Sequence, residues 1–484
     1  MGLVTHESEN TNQLFDSATN SAGCVFALSH IDRLWLPGHA ESIMRGPQQK
    51  ALPLETPSRI SDGSSANSRR GVAADELRRH NLAAVLDRLH FSGPLSRSEL
   101  AERTGLNRST IRDLIGELIG LELVEERPGI ASSGPGRPSP VARTRPEGAV
   151  VLALELTVDS VAVRTMGLGG RVYGEQREAR PRGRFSPEET IEDVTALAAP
   201  LLAALPDRHR LVGVGIAVAG VVRRSDGFVH LAPNLGWHDV ALGEMAEAAL
   251  GIDRVMLANE ADLGALGEFR RGAGVGVGHL IYVAGEVGIG TGIILNGTPM
   301  LGSAGFAGEA GHNLINPGGH RCRCGAVGCW ETEAGEEALA RRAGVREGVV
   351  GQALLKELTI RAEEGDRTTI EALDDIGRWL GLGIGNLINS FNPELVVIGG
   401  FYSDLYPYLE KSVKRGAAES ALDAPARMAQ IRRCELGVNA PLMGAAELVL
   451  AEVIANPAAL ADLDQGTRHP AMASEETSTR PASA

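Results

Sequence analysis

No apolar run in this chain approaches the length of a bilayer span, and the N-terminus has no basic segment leading into a hydrophobic stretch and cleavage site. Membrane insertion is therefore not expected, and a cytoplasmic location is. Aromatic residues are scarce, at 4%, which argues against an aromatic-packed β sandwich, whereas 60 glycines suit a turn-rich α/β design. Cysteine is scarce too. Five in 484 residues cannot build a disulfide framework, yet three of them fall between Cys322 and Cys329, where a reducing compartment favours metal ligation. Positive charge is also in deficit. The net charge of −14 taken alone disfavours nucleic acid, because affinity for DNA comes mostly from neutralising phosphates.

The deficit is uneven. Between Arg69 and Arg145 thirteen arginines face ten acidic residues, a local excess of +3 on an otherwise acidic chain. The same stretch holds Leu82, Val85, Leu86 and Leu89 at helical spacing before Gly93-Pro94. Ser96 and Glu99 then form a capping box for a second helix that stops at Gly105, and Asn107 opens a third with Ile111, Leu114, Ile115, Leu118 and Leu121 on its apolar stripe. Three helices in this order, followed by a weakly alternating strand and a Gly/Pro/Ser loop at 129–140, predict a winged helix-turn-helix. Its third helix would carry Asn107, Arg108, Ser109, Thr110 and Arg112 into the major groove, with Arg137 on the wing reaching the minor groove. The expected organisation is a disordered extension at 1–72, the DNA-binding domain at 73–146, two α/β lobes at 147–265 and 266–456, and a disordered tail at 457–484.

His312, Cys322, Cys324 and Cys329 supply an imidazole and three thiolates, the donor set of a closed tetrahedral zinc site, with Gly325 and Gly328 letting the loop curl. Such a shell leaves no open position for water, so the ion is expected to be structural. His320 competes as a ligand but sits only two residues from Cys322.

The run GEAGH at Gly308–His312 together with CRCGAVGCWE resembles the ROK family of repressors and sugar kinases, and the upstream winged helix resembles its xylose-repressor-type branch. The resemblance covers Leu77 to Val453. It implies an actin-like, hexokinase-type two-lobed α/β fold, zinc at the four residues above, and a sugar between the lobes. Sugar contacts would fall on Gly220, Asn259, Glu260, Glu309, His312 and Glu331. Carboxylates, an amide and an imidazole can pair with a ring of hydroxyls. His312 would serve both sites, one nitrogen on the metal and the other toward the sugar.

Two departures separate this sequence from the family's kinases. Glu155-Leu156-Thr157-Val158-Asp159 lacks the glycine that lets backbone amides approach ATP phosphates. Glu260 stands where the kinases have an Asp general base, and an extra methylene displaces that carboxylate by roughly 1 Å, enough to impair catalysis while preserving binding. Against this, Gly288–Gly292 reads as a phosphate-like turn, and Asn392-Pro393-Glu394 to Gly399-Gly400 resembles the nucleotide-side motif. The expectation is a sugar-responsive repressor rather than an enzyme, working on operator DNA as a homodimer or higher oligomer, without ATP. The alternative is a glucokinase or N-acetylhexosamine kinase with an appended DNA reader.

Overall fold

The computed structural model describes residues 65–128, 139–183 and 185–460, with side chains from residue 75 onward. Helix α1 (Ser65–Ser92), strand β1 (Leu95–Ser96), helices α2 (Arg97–Thr104) and α3 (Arg108–Gly120), and strands β2 (Val124–Arg127) and β3 (Val141–Thr144) form the winged helix-turn-helix. Ser96 accepts from the Glu99 amide while Glu99 reaches back to the Ser96 amide, and Gly105 closes α2 in the left-handed region at φ 72°. Asn107 caps α3 by accepting from Thr110, and Ile111, Leu114, Ile115 and Leu118 all face inward. The strands order β1-β3-β2, with Glu125 opposite Arg143 and ion-paired to it. Helix α1 begins at Ser65, inside the segment expected to be disordered up to residue 72. Once its apolar second half nucleates, each further turn costs little.

The first lobe comprises β4 (Val150–Leu156), β5 (Ser160–Gly167), β6 (Arg171–Ala179), α4 (Pro187–Ala203), β7 (Leu211–Val218), the small sheet β8 (Val221–Arg223), β9 (Phe228–Ala232) and β10 (Trp237–Val240), then α5 (Leu242–Leu250), β11 (Val255–Asn259) and α6 (Glu260–Arg271). The second comprises β12 (Leu280–Gly285), β13 (Ile289–Leu295), β14 (Thr298–Pro299), α7 (Trp330–Ala334), α8 (Glu336–Arg342), α9 (Gly351–Glu363), α10 (Arg367–Phe391), β15 (Leu395–Gly400), α11 (Phe401–Ser420), α12 (Asp423–Met428) and β16 (Gln430–Arg433). The main sheets run β11-β7-β4-β5-β6 and β14-β13-β12-β15-β16. Each is an antiparallel meander whose first strand is extended on its other side by two successive parallel strands, the same order used twice. This duplicated sheet is the actin-like architecture.

The last helix, α13 (Ala440–Ala455), departs from the expected division at 265/266. It returns to the first lobe, packing on α6, β4 and β7. Its burial also revises the reading of apolar runs. Gly437–Ala455 is, among the described residues, the one helical stretch long and apolar enough to cross a membrane, and 67% of it is buried in the protein. A helix buried over most of its surface carries apolar residues well beyond a single face. Leu82, Val85, Leu86 and Leu89 of α1 share one continuous core with Leu442, Val449 and Val453 of α13 and Val151 of β4. The winged helix therefore sits on the body through shared hydrophobic packing.

Candidate functional site

Between the lobes lies a cavity of about 410 Å³, within the range that holds small ligands. All six residues expected to meet a sugar, Gly220, Asn259, Glu260, Glu309, His312 and Glu331, line it together. The first lobe contributes the end of β7, the β9–β10 loop, and the junction of β11 with α6. Asn259 spends its side chain on that junction, accepting from the Ala261 amide at 2.7 Å and donating to the Gly220 carbonyl at 2.9 Å. It thereby fixes two of the expected residues against each other and starts α6 at the cavity wall.

Glu260 is the first residue of α6. Its Oε2 is fully covered and has no hydrogen-bond partner, an acceptor left for something that enters the cavity. Burial pushes its carboxyl well above the usual range, and the neighbouring Glu286 and Glu155 charges push it further. Glu286, beside Glu260, is raised to about 7, by burial first and Glu155 second. The sequence reading missed Glu286. Its signal was an acidic residue at the end of the apolar strand Leu280–Gly285, where strand ends open into the cleft. Asp262, in the first turn of α6, is also raised to about 7, by burial first; Arg224 lowers it and Glu309 raises it further.

The second lobe supplies the rest. The Thr291 hydroxyl donates to the Gly308 carbonyl and ties the GEAGH loop to β13. Burial raises Glu309, His312 lowers it, and Glu331 raises it again. Trp330, buried and donating its indole N–H to the Trp379 carbonyl at 3.0 Å, anchors the segment that presents Glu331.

His312, Cys322, Cys324 and Cys329 bring one ligand atom each to within 4.8 Å of one another. His312 Nδ1 lies 3.6 Å from Cys322 Sγ, and Cys324 Sγ lies 3.6 Å from Cys329 Sγ. A tetrahedron built on Zn–S of about 2.3 Å and Zn–N of about 2.0 Å has edges of about 3.5–3.8 Å. The donor set and these two edges fit a bound metal ion. His320 stands outside the group and lines the cavity instead. Gly328, at φ 80°, has the Asn316 carbonyl oxygen 1.7 Å from where a Cβ would lie, so no side chain is tolerated there. Metal bonding through Nδ1 leaves His312 Nε2 for the cavity.

The would-be nucleotide side differs from a phosphate cradle. In the β4–β5 turn the Thr157 hydroxyl accepts from the Asp159 and Ser160 amides at 3.3 and 3.1 Å, occupying donors that an anion would need. Asp159 is paired bidentately with Arg182, at 2.6 and 2.8 Å, and Arg182 crosses to Glu336 of the second lobe. Glu155, paired with Arg177, and Asp159, paired with Arg182, flank this turn. The Gly288–Gly292 run corrects its own expectation: from Ile289 on it is strand β13, and Gly292 is small because the Ala261 carbonyl oxygen of α6 lies 2.2 Å from a built Cβ. Asn392 caps α10 in the left-handed region and Glu394 accepts from the Gly278 and His279 amides, so that motif is spent on local structure.

On the winged helix, Asn107, Arg108, Ser109 and Arg112 are exposed on α3 and Thr110 is half-buried. Asn107 Oδ1 is taken by the cap and by the Ser109 hydroxyl, at 2.6 Å from the latter, and Arg112 pairs with Asp113 at 3.0 Å. Arg137 lies outside the described residues.

A two-lobed, sugar-kinase-like body with a metal-ligating loop at its cleft and a winged helix seated on it is the class these features define. The ROK family profile matches residues 152–452, and the chain belongs to that family. The Xylose repressor of Bacillus subtilis (strain 168) is 30% identical over 371 residues, covering 76% of this chain and 94% of that protein. A glucokinase from Halalkalibacterium halodurans is 35% identical over 252 residues, but covers only 49% of this chain and 76% of its own. The crystal structure of a ROK family transcriptional regulator, a homologue of the Escherichia coli MLC protein, superposes with a TM-score of 0.67 at 25% identity, covering 81% of this chain and all of that one. Repressor likeness thus extends past the ROK body into the DNA reader, whereas kinase likeness stops at the body.

Proposed function

We propose that this chain is a cytoplasmic, sugar-responsive transcriptional repressor, binding operator DNA through α3 and the wing and a monosaccharide in the interlobe cavity. The observation that carries the reading is the cavity itself: an unpartnered buried Glu260 oxygen, Glu309, Glu331 and the cavity-facing His312 around a sugar-sized space. Zinc at His312, Cys322, Cys324 and Cys329 is structural in this reading, holding the loop and the His312 ring. The winged helix and the two lobes are the working domains, paired as a homodimer so that two readers meet two half-sites.

Kinase activity is disfavoured at the β4–β5 turn, where the Thr157 hydroxyl already engages the amides that a phosphate would need. The sugar class includes xylose, glucose and N-acetylglucosamine, whose hydroxyls the carboxylates suit equally. A thermal-shift screen of these monosaccharides, with hits carried into a mobility-shift assay on DNA selected by the protein itself, is the test. One sugar should raise the melting temperature and change DNA affinity without ADP release; sugar-dependent ADP release at ordinary enzyme rates would refute it.

A further inference from the structure

Helix α6 begins in the sugar cavity and ends against the DNA reader. Its first residue is Glu260; its last, Arg271, meets α1 and α13 at a buried joint. Arg271 Nε donates to Glu447 Oε1 at 2.7 Å, and Arg271 also donates to the His90 carbonyl at 3.3 Å. His90 Nδ1 accepts from the Gly169 amide at 2.9 Å, and its Nε2 lies 3.1 Å from Glu447 Oε2 and against the Arg271 guanidinium. The His90 and Glu447 side chains are 0% and 2% exposed. Phe91 lies under both Arg270 and Arg271, at 4.8 and 4.7 Å from their guanidinium carbons. Arg270 also pairs with Asp87 of α1 at 3.7 Å.

The helix between these ends is built to move as one piece. Ala261 to Glu268 are all buried. A Cβ on Gly267 would sit 2.3 Å from the Ala440 oxygen, and one on Gly444 would sit 1.8 Å from the Leu263 oxygen, so α6 and α13 touch backbone to backbone. β13 of the second lobe presses on Ala261 from the other side. Close-packed interiors transmit displacement rather than absorb it.

We propose that α6 is the element coupling the sugar site to the DNA reader, with Arg271, His90 and Glu447 as its joint and Phe91 as the ring it bears on; this rests on the functional reading above. Sugar contacts at Glu260, or closure of the second lobe on the cavity, shift α6 and α13 together. Glu447 is held by both His90 and Arg271, and drawing it away from either strips a buried charge of a partner, so α1 follows. Arg271, His90 and Phe91 are positioning residues that touch neither sugar nor DNA.

The experiment uses the full chain loaded with zinc, D-xylose, D-glucose and N-acetyl-D-glucosamine as ligands, and a duplex selected from a random pool by the wild-type protein. The readout is the ratio of DNA affinities with and without sugar, for wild type, Arg271→Lys and Phe91→Leu. Coupling of this kind changes affinity roughly five- to 150-fold in the wild type. In both variants sugar affinity and sugar-free DNA affinity should persist while that ratio falls toward one. A purely structural role would lower stability without moving the ratio. A ratio retained in either variant, with sugar bound, overturns the coupling role of α6. If no monosaccharide binds the wild type, the functional reading fails first and the coupling proposal with it. Phe91→Leu changes no charge, so the test survives even where Arg271→Lys folds poorly.

Discussion

Glu309 and Glu260 meet the cavity in different ways, and their substitutions separate contact from environment. Glu309 is exposed to the cavity, so Glu309→Ala should weaken sugar binding roughly ten- to hundredfold, the effect of losing one or two charged hydrogen bonds, with the fold intact. Calorimetric titration with the active sugar checks it; an unchanged affinity would remove Glu309 from the site. Glu286 makes a prediction about pH. Its folded value of about 7 lies above the ordinary 4.5, so the stability tied to its neutral form is full below the ordinary value and is lost as pH rises through about 7. Ligand-free protein should melt lower at about pH 8 than at about pH 6, and Glu286→Gln should flatten that slope, with Asp262 and the other raised carboxyls, Glu260 and Glu309, contributing what remains. At the metal loop, Cys329→Ser should abolish stoichiometric zinc in elemental analysis and lower the melting temperature, since the loop then loses its closure.

At the scale of elements, α3 and the joint between α1, α6 and α13 carry separate tests. Arg108 is exposed on the first turn of α3 and makes no ion pair among the described residues. Arg108→Ala should lower DNA affinity and, if the contact is to phosphate, reduce the slope of log affinity against log salt by about 1. Glu447 behaves oppositely to Glu286. Burial works to raise it, but His90 and Arg271 prevail and hold it at about 2, below the ordinary 4.5. Its stabilisation is therefore complete above the ordinary value and disappears as pH falls toward about 2, a contribution on the order of 3 kcal/mol. An acid titration followed by circular dichroism should show the wild type losing stability across that window, whereas Glu447→Gln starts lower and varies less.

For the whole molecule, coupling between DNA and sugar is reciprocal by thermodynamic necessity. Operator DNA should change sugar affinity by the same factor that sugar changes DNA affinity. The capping box at Ser96, the α3 stripe and the spacing of His312, Cys322, Cys324 and Cys329 were legible because each is decided within a short stretch of chain. So were the six cavity residues, through motifs that keep local spacing. The turn at Thr157 was read correctly as lacking glycine, but that its hydroxyl would occupy the very amides in question needed coordinates.

What the chain alone determined was local: which helices start where, which side chains could ligate metal, which stretch of the chain was basic. Tertiary structure decided whatever depended on residues distant in sequence. It returned α13 to the first lobe, gave Gly292 its reason in α6 rather than in a phosphate, paired Glu286 with Glu260, and placed His90 beside Glu447 across 357 residues. No periodicity or spacing encodes such a meeting. It follows from burying two faces at once, and a buried charge then selects the one partner that the packing brings within reach.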